Sequence, residues 1–186
     1  MSNQTSTEPS VAQALNGVNA TKVVGSDLVA TASKAAFVAI GQLAVVMARS
    51  LEHQQVRLAD IQTLLLPPVL SGQYAIATDN KTATGVTIPV AAVLWAHVSP
   101  DVDRRLSLAN EPPKLLRQDW TSGAIPWLID AFGEPRASSR LLGTVLQARF
   151  ARSGLRAMLR NPDGSYRMEV LAHKTATPEH QRASSG

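Results

Sequence analysis

Apolar and polar residues follow one another along the chain in blocks that predict a mixed α/β domain. An apolar run over about 31–49 predicts a first helix, and apolar residues recur at helical spacing over about 55–66, which predicts a second. Pro67 and Pro68 are expected to end the second helix, because proline lacks the amide hydrogen that a helix interior needs. Two helices therefore precede the first strand.

Five later stretches have the length and apolar character of strands, and turn residues or helices separate them. They are 73–78, 88–98, 126–130, 155–160 and 166–172. Ser99, Pro100 and Asp101 have the residue types that cap and begin a helix, and a basic helix is predicted over about 138–150. Because the strands do not alternate regularly with helices, the order predicts an α+β fold with one mixed sheet.

The two ends of the chain differ in composition from its centre. Residues 1–28 are rich in Ser, Thr, Asn and Gly, and 175–186 are similarly polar, so both are predicted to be flexible tails around a folded domain of 29–174. With 186 residues, 45% of them hydrophobic, the chain is long enough for one domain with a core. The polar N-terminus has no apparent signal peptide, and the apolar run 35–48 is too short to span a bilayer.

Composition narrows the chemistry further. The chain has no cysteine, which excludes a disulfide, a thiolate metal site and a cysteine nucleophile, and suits a reducing compartment, so a cytoplasmic protein is expected. The four histidines are scattered without carboxylate partners at ligand spacing, so no metal is expected. No phosphate-binding glycine loop or nucleophile-elbow motif occurs.

Positive charge is concentrated in the last part of the chain. The formal net charge is +4, and from Arg136 onward nine basic residues stand against three acidic ones. Such an uneven distribution fits either an anionic partner or a solvated basic helix face, and the sequence leaves both readings open. Few aromatic residues and no recognition motif argue against nucleic acid as that partner.

Two residues are candidates for chemistry. His53 follows the apolar helix and, by itself, fits an ordinary surface histidine. Asp130 ends the buried run Trp127–Ile129, where a carboxylate either caps a neighbouring backbone group or serves a site, because ligands bind at strand ends in α/β sheets.

These residues belong to an ordered set of motifs that resembles the RTX toxin-activating lysine acyltransferases, the hemolysin-activating family. The matching pieces are Gly41, Ser50-x-x-His53, "LPPVLSGQYAI" (66–76), "LWAHVS" (94–99) and "QDWTSG" with "WLID" (118–130). The resemblance covers about residues 38–170, and the block that ends in Asp130 is its most specific part.

The resemblance implies a fold like that of the GNAT acetyltransferases and transfer of a fatty acyl group from acyl carrier protein to internal lysines of an RTX protein toxin. It places the functional histidine on His53, the functional aspartate on Asp130 and a further functional serine on Ser50. It also makes a homodimer an expectation. We expect His53 and Asp130 to meet in space, with the carboxylate orienting the imidazole, and His53 to act as a base or as the nucleophile.

The residues that would bind the acyl donor are less clearly marked in the sequence. "RLLGTV" (140–145) resembles part of the GNAT pyrophosphate loop, which would assign Arg136, Arg140 and Gly143 to the phosphopantetheine or carrier side. The alternative is that both arginines are exposed helix residues.

Three other readings remain. The chain could be a CoA-dependent GNAT-type acyltransferase, a basic protein-binding module, or an inactive relative. The last follows from departures such as Val45 and Ala124, where the family usually has a tryptophan and an acid.

Overall fold

The computed structural model describes residues 24–79 and 87–172, with side chains from residue 33 onward. The chain divides into two compact units, 1–37 and 38–186, and the sheet lies in the second. The first helix, α1, spans Val24–Arg49, so it begins earlier than the predicted residue 31. Apart from the start of α1, the predicted N-terminal tail lies outside the described residues, as does the whole predicted C-terminal tail.

Short helical turns connect α1 to the sheet. They are two 3₁₀ turns at Leu51–His53 and Leu58–Asp60, helix α2 at Ile61–Leu64 and helix α3 at Leu66–Ser71. The prediction of one continuous helix over 55–66, ended by Pro67 and Pro68, is wrong. The two prolines instead lie in the first turn of α3, where a missing amide hydrogen costs no helical bond.

Five strands of the described residues form one sheet in sequence order, as the pattern predicted. They are β1 (Tyr74–Asp79), β2 (Ile88–Val98), β3 (Ile125–Gly133), β4 (Leu155–Arg160) and β5 (Tyr166–Leu171). Neighbouring strands are antiparallel except β3 and β4, which are parallel. A parallel pair needs a crossover connection, and helix α5 (Pro135–Arg149) lies in it. Helix α4 (Pro100–Leu108) lies between β2 and β3.

One carboxylate ties α4 to the parallel strands. Asp103, in the first turn of α4, accepts a hydrogen bond from Trp127 Nε1 at 2.8 Å and from Arg156 Nη1 at 2.6 Å. Trp127 and Arg156 are the pair at which the ladder between β3 and β4 is recorded. Among the described residues, β3 and β4 pair in register only at Trp127 and Arg156. The part of β3 from Leu128 to Gly133 is therefore not paired with β4.

A β-bulge divides β3 into two halves. Leu94 pairs with Asp130, but the next residue, Trp95, pairs with Leu128, so Ile129 is the extra residue. Leu128 and Ala131 both pack against the same apolar cluster, although residues three apart in a regular strand face opposite sides. The bulge therefore reverses the side-chain alternation within β3.

Helix α5 covers one face of the sheet. Its buried Val145 and Leu146 form a cluster with Val93, Trp95 and other core residues. The segment 140–145, expected to be an anion-binding loop before a helix, lies instead in the middle of α5. Its backbone amides lie where helical i→i−4 bonds form, so a pyrophosphate loop at Gly143 is ruled out by the geometry. No helix of the described ranges is both long and apolar enough to cross a bilayer.

Gly133 and Gly143 should respond in opposite ways to alanine. Gly133 has a φ of 107°, and a Cβ there would lie 2.3 Å from the carbonyl oxygen of Val90. We expect Gly133→Ala to lower the free energy of unfolding by roughly 1–3 kcal/mol from backbone strain, with the clash adding to that loss. Urea unfolding followed by circular dichroism measures the change.

Gly143→Ala is the matched control. Its Cβ would meet nothing within 4 Å and the residue lies inside a helix. It should raise the free energy of unfolding by about 0.5–1 kcal/mol. A loss of stability in Gly143→Ala would contradict the placement of residues 140–145 in a helix.

Candidate active site

The end of α1 presents two polar side chains on the same side of one tight turn. The chain leaves the helix at Ser50 and forms a 3₁₀ turn, in which the amide of His53 donates to the carbonyl of Ser50 at 3.0 Å. Residues i and i+3 eclipse one another in such a turn. Ser50 Oγ accordingly lies 3.0 Å from His53 Nδ1.

The other ring nitrogen of His53 meets Asp130, as expected from the sequence. Nε2 lies 2.7 Å from Asp130 Oδ2, which links segments 77 residues apart along the chain. The side chain of His53 is 13% exposed and that of Asp130 is 36% exposed. The structure thus brings Ser50, His53 and Asp130 into one chain of hydrogen bonds.

The bulge at Ile129 explains why Asp130 faces His53. Leu128 faces the apolar cluster under α5, and in a regular strand Asp130, two residues on, would face it too. The extra residue turns Asp130 to the opposite face, where its register partner is the buried Leu94. Asp130 is therefore not the end of the strand, as the sequence suggested, but a residue redirected within it.

Both carboxylate oxygens of Asp130 are engaged. Oδ1 accepts a hydrogen bond from the amide of Ala131 at 2.8 Å, while Oδ2 contacts the imidazole. Both of the roles considered for this residue, capping a backbone amide and serving a site, are therefore compatible. The amide contact fixes the rotation of the carboxylate relative to the ring.

The carboxylate also fixes the protonation of the imidazole. The hydrogen bond to Asp130 raises the pKa of His53 above its ordinary value; burial opposes the rise, and the charges of Asp130 and Glu52 add to it. An ionised carboxylate only accepts hydrogen bonds, so Nε2 carries the proton that it donates to Asp130. In the neutral ring, Nδ1 is then the basic atom, and it faces the hydroxyl of Ser50.

Phe132 completes the surroundings of the ring, and sequence reasoning missed it. Its ring centroid lies 4.8 Å from that of His53 at an interplanar angle of 39°, and it is 3% exposed. Its position two residues after Asp130 was the available signal, because residues two apart in a regular stretch of strand face the same side.

Two cavities adjoin the hydrogen-bonded residues. One, of about 650 Å³, is lined by Ser50 and Phe132 together with charged residues that include Arg49 and Glu134. The other, of about 340 Å³, is lined by His53 and mainly apolar side chains of α1 and the following turns. The imidazole and its serine thus stand between a larger cavity that contains the charged side chains and a smaller, mainly apolar one.

The donor-side residues lie apart from this triad. Arg136 and Arg140, one turn apart on α5, line a third cavity of about 580 Å³, whereas Gly143 does not line it. This cavity shares Val90 and Glu134 with the larger cavity beside Ser50. Within residues 24–79 and 87–172, no three His, Cys, Asp or Glu side chains come together as a metal site would need.

Comparison with known proteins agrees with this geometry. The RTX toxin acyltransferase family model matches residues 32–174. The RTX-I toxin-activating lysine-acyltransferase of Actinobacillus pleuropneumoniae is 26% identical over 127 residues, which is 68% of this chain and 69% of that protein. Two protein-lysine myristoyltransferases of Escherichia coli are each 32% identical over 66 residues, 36% of this chain and about a third of theirs. Since the family model spans well over half of the sequence, including Ser50, His53 and Asp130, the chain belongs to the RTX toxin acyltransferase family.

Proposed function

We propose that this protein transfers a fatty acyl group from acyl carrier protein to the ε-amine of lysines in an RTX-type toxin, and so activates the toxin. The observation that supports this most strongly is the hydrogen-bonded chain Ser50–His53–Asp130, found in a member of a family of acyltransferases. The curated relatives are named as lysine acyltransferases and myristoyltransferases.

The reaction needs a base because a free lysine amine is almost wholly protonated at neutral pH. His53 Nδ1 accepts the proton, directly or through the Ser50 hydroxyl 3.0 Å away. The amine nitrogen then attacks the thioester carbonyl carbon, the C–N bond forms and the C–S bond breaks. The ammonium proton that His53 takes up first is released to solvent. When the C–N bond forms, the nitrogen gives up a second proton, which His53 passes to the departing thiolate, so ammonium and thioester yield amide, thiol and one released proton.

Asp130 acts as a positioning residue in this scheme. It holds the Nε2 proton and stabilises the imidazolium that forms when Nδ1 takes the second proton. The alternative, an acyl-imidazole formed at Nδ1, requires Ser50 Oγ to leave its place beside that nitrogen. Proton transfer through the Ser50 hydroxyl needs no such movement, so the hydrogen-bonded arrangement favours a base that acts through Ser50 over the nucleophile.

Acyl carrier protein as donor is supported by the arginines on α5. Arg136 and Arg140 line a cavity that shares Val90 and Glu134 with the cavity beside Ser50, so the two cavities are neighbours. Arginines at this place suit the phosphate of a phosphopantetheine arm whose thioester enters the cavity beside Ser50. The absence of cysteine from the sequence suits a protein of the cytoplasm. Formation of a homodimer stays a prediction, which a measurement of the mass of the protein in solution would test.

Substitutions in the triad should separate its members. His53→Ala is expected to lower the transfer rate by about 10²–10⁴-fold because it removes the base, and Asp130→Asn by a similar order. Ser50→Ala should cost less, roughly tenfold, if Ser50 orients the imidazole without carrying the acyl group. Intact mass of a lysine-containing toxin segment, followed over time with acyl carrier protein as donor, measures each rate.

The same assay distinguishes the two roles of His53. Incubation with donor alone should leave the enzyme mass unchanged, and an acyl increment that disappears in His53→Ala would instead show a covalent intermediate. Full activity of His53→Ala would contradict the proposed function. His97→Ala is the control, because His97 contacts Gln73 and Phe150 and lines neither cavity beside the triad.

The pH dependence has a definite sign. A base must be unprotonated, so the transfer rate should rise with pH through the pKa of His53, with its inflection above about 6.5 because Asp130 raises that pKa. Asp130→Asn removes the charge and should move the inflection to lower pH. The pH–rate profile measures both, and an inflection in Asp130→Asn at the same pH as in the wild type would contradict the pairing.

The donor proposal predicts a local charge effect. Arg140→Glu should weaken binding of acyl carrier protein by about tenfold at low salt, with a smaller difference at high salt because salt screens exposed charges. Arg152→Glu, an equal change of charge at an exposed position outside the three cavities, is the matched control. Equal weakening by both variants, or equal use of acyl-CoA and acyl carrier protein, would overturn the assignment.

A further inference from the structure

The apolar cavity beside His53 has no role in the reaction scheme described above. It measures about 340 Å³ and is lined by short or apolar residues of α1 and of the turns that follow, among them Ala44, Met47, Ala48, Val56, Leu58 and Leu65. Arg57 is the charged residue of its lining apart from His53. The larger cavity on the side of Ser50 has a mixed lining, in which Arg49, Glu52 and Glu134 stand among apolar residues such as Val46 and Phe132.

The lining contains apolar surface that stays in contact with water. Leu58 is 86% exposed, whereas Met47 and Leu65 are 6% and 1% exposed and are already packed in the core. Ala44 and Ala48 stand one turn apart on α1, and the short side chains leave the space beside the helix open. An apolar ligand in this cavity would remove such surface from water at the edge of the reacting imidazole.

We propose that this cavity binds the acyl chain of the donor and that its size sets the preferred chain length. The proposal rests on the proposed function, because an acyl group that is transferred at His53 needs its carbonyl carbon near the imidazole and its tail in an apolar space. A water molecule occupies about 30 Å³ of liquid and a methylene is of similar size, so the cavity holds roughly ten such groups. A saturated chain of about that length matches this volume, whereas the charged arm of the donor suits the larger cavity, whose lining includes Arg49.

Chain selection follows from the energetics of burial. Each methylene that enters the cavity improves binding about fourfold, until the apolar lining is fully covered and the gain stops. Reducing the free volume should therefore penalise long chains and leave short ones unaffected. Ala48→Leu adds bulk within the lining at an exposed helix position, where the substitution is expected to be tolerated by the fold.

The experiment is an internal competition. Acyl carrier proteins charged with short, medium and long saturated chains are mixed in equal amounts with the enzyme and a lysine-containing toxin segment. Intact mass gives the ratio of long-chain to short-chain product, and this ratio is independent of the total rate. Ala48→Leu and Ala44→Leu should each lower it by at least about tenfold, as expected when two or more methylenes lose their place.

Val45→Leu is the matched control, since Val45 lies on the same helix, is 45% exposed and lines none of the three cavities. Its product ratio should equal that of the wild type. Binding of a fluorescent fatty acid, measured without donor or acceptor, should weaken in Ala48→Leu and not in Val45→Leu. This second readout does not depend on transfer.

The outcomes separate the two proposals. Unchanged product ratios in both cavity variants, with transfer intact, would overturn the acyl-chain assignment and leave the proposed function standing. A changed requirement for the toxin segment with the same chain preference would assign the cavity to the acceptor and overturn the proposal as well. No transfer by the wild type from any donor would overturn the proposed function itself.

Discussion

The site depends on one extra residue in β3. The bulge at Ile129 turns Asp130 away from the apolar cluster under α5, and only from that face does its carboxylate reach the imidazole of His53 at 2.7 Å. Two anchors keep the bulged strand in place. Asp103 holds Trp127 on one side of the bulge, and Gly133 allows the close approach to Val90 on the other. The geometry of the His53–Asp130 pair is therefore set by strand register.

The contact with Asp130 also decides which ring nitrogen of His53 is basic. Because Asp130 takes the Nε2 proton, the basic lone pair is directed to Nδ1 and to Ser50, at the boundary between the larger cavity and the smaller, mainly apolar one. A thioester has the same division, with a polar arm on one side of its carbonyl and a hydrocarbon tail on the other. The proposed donor would therefore place its arm, its reacting carbon and its tail at three different points of the site.

Much of this was predictable from the sequence. The five strands, the cap at Ser99 and the pairing of His53 with Asp130 are confirmed, because apolar periodicity and motif resemblance report directly on them. The bulge was not predictable, since a run such as Trp127–Ile129 looks the same in a regular strand and a bulged one. The prediction of an anion-binding loop at Gly143 was wrong for a related reason. A short glycine motif does not show whether a helix starts before it or after it.

The most direct test of the account is the tautomer of His53, read from the ¹⁵N chemical shifts of its ring nitrogens in a spectrum taken above its pKa. We expect Nε2 to be protonated and Nδ1 to be unprotonated, and we expect the difference between the two shifts to collapse in Asp130→Ala. A proton on Nδ1 in the wild type would contradict it, because the basic atom would then face Asp130 and not Ser50.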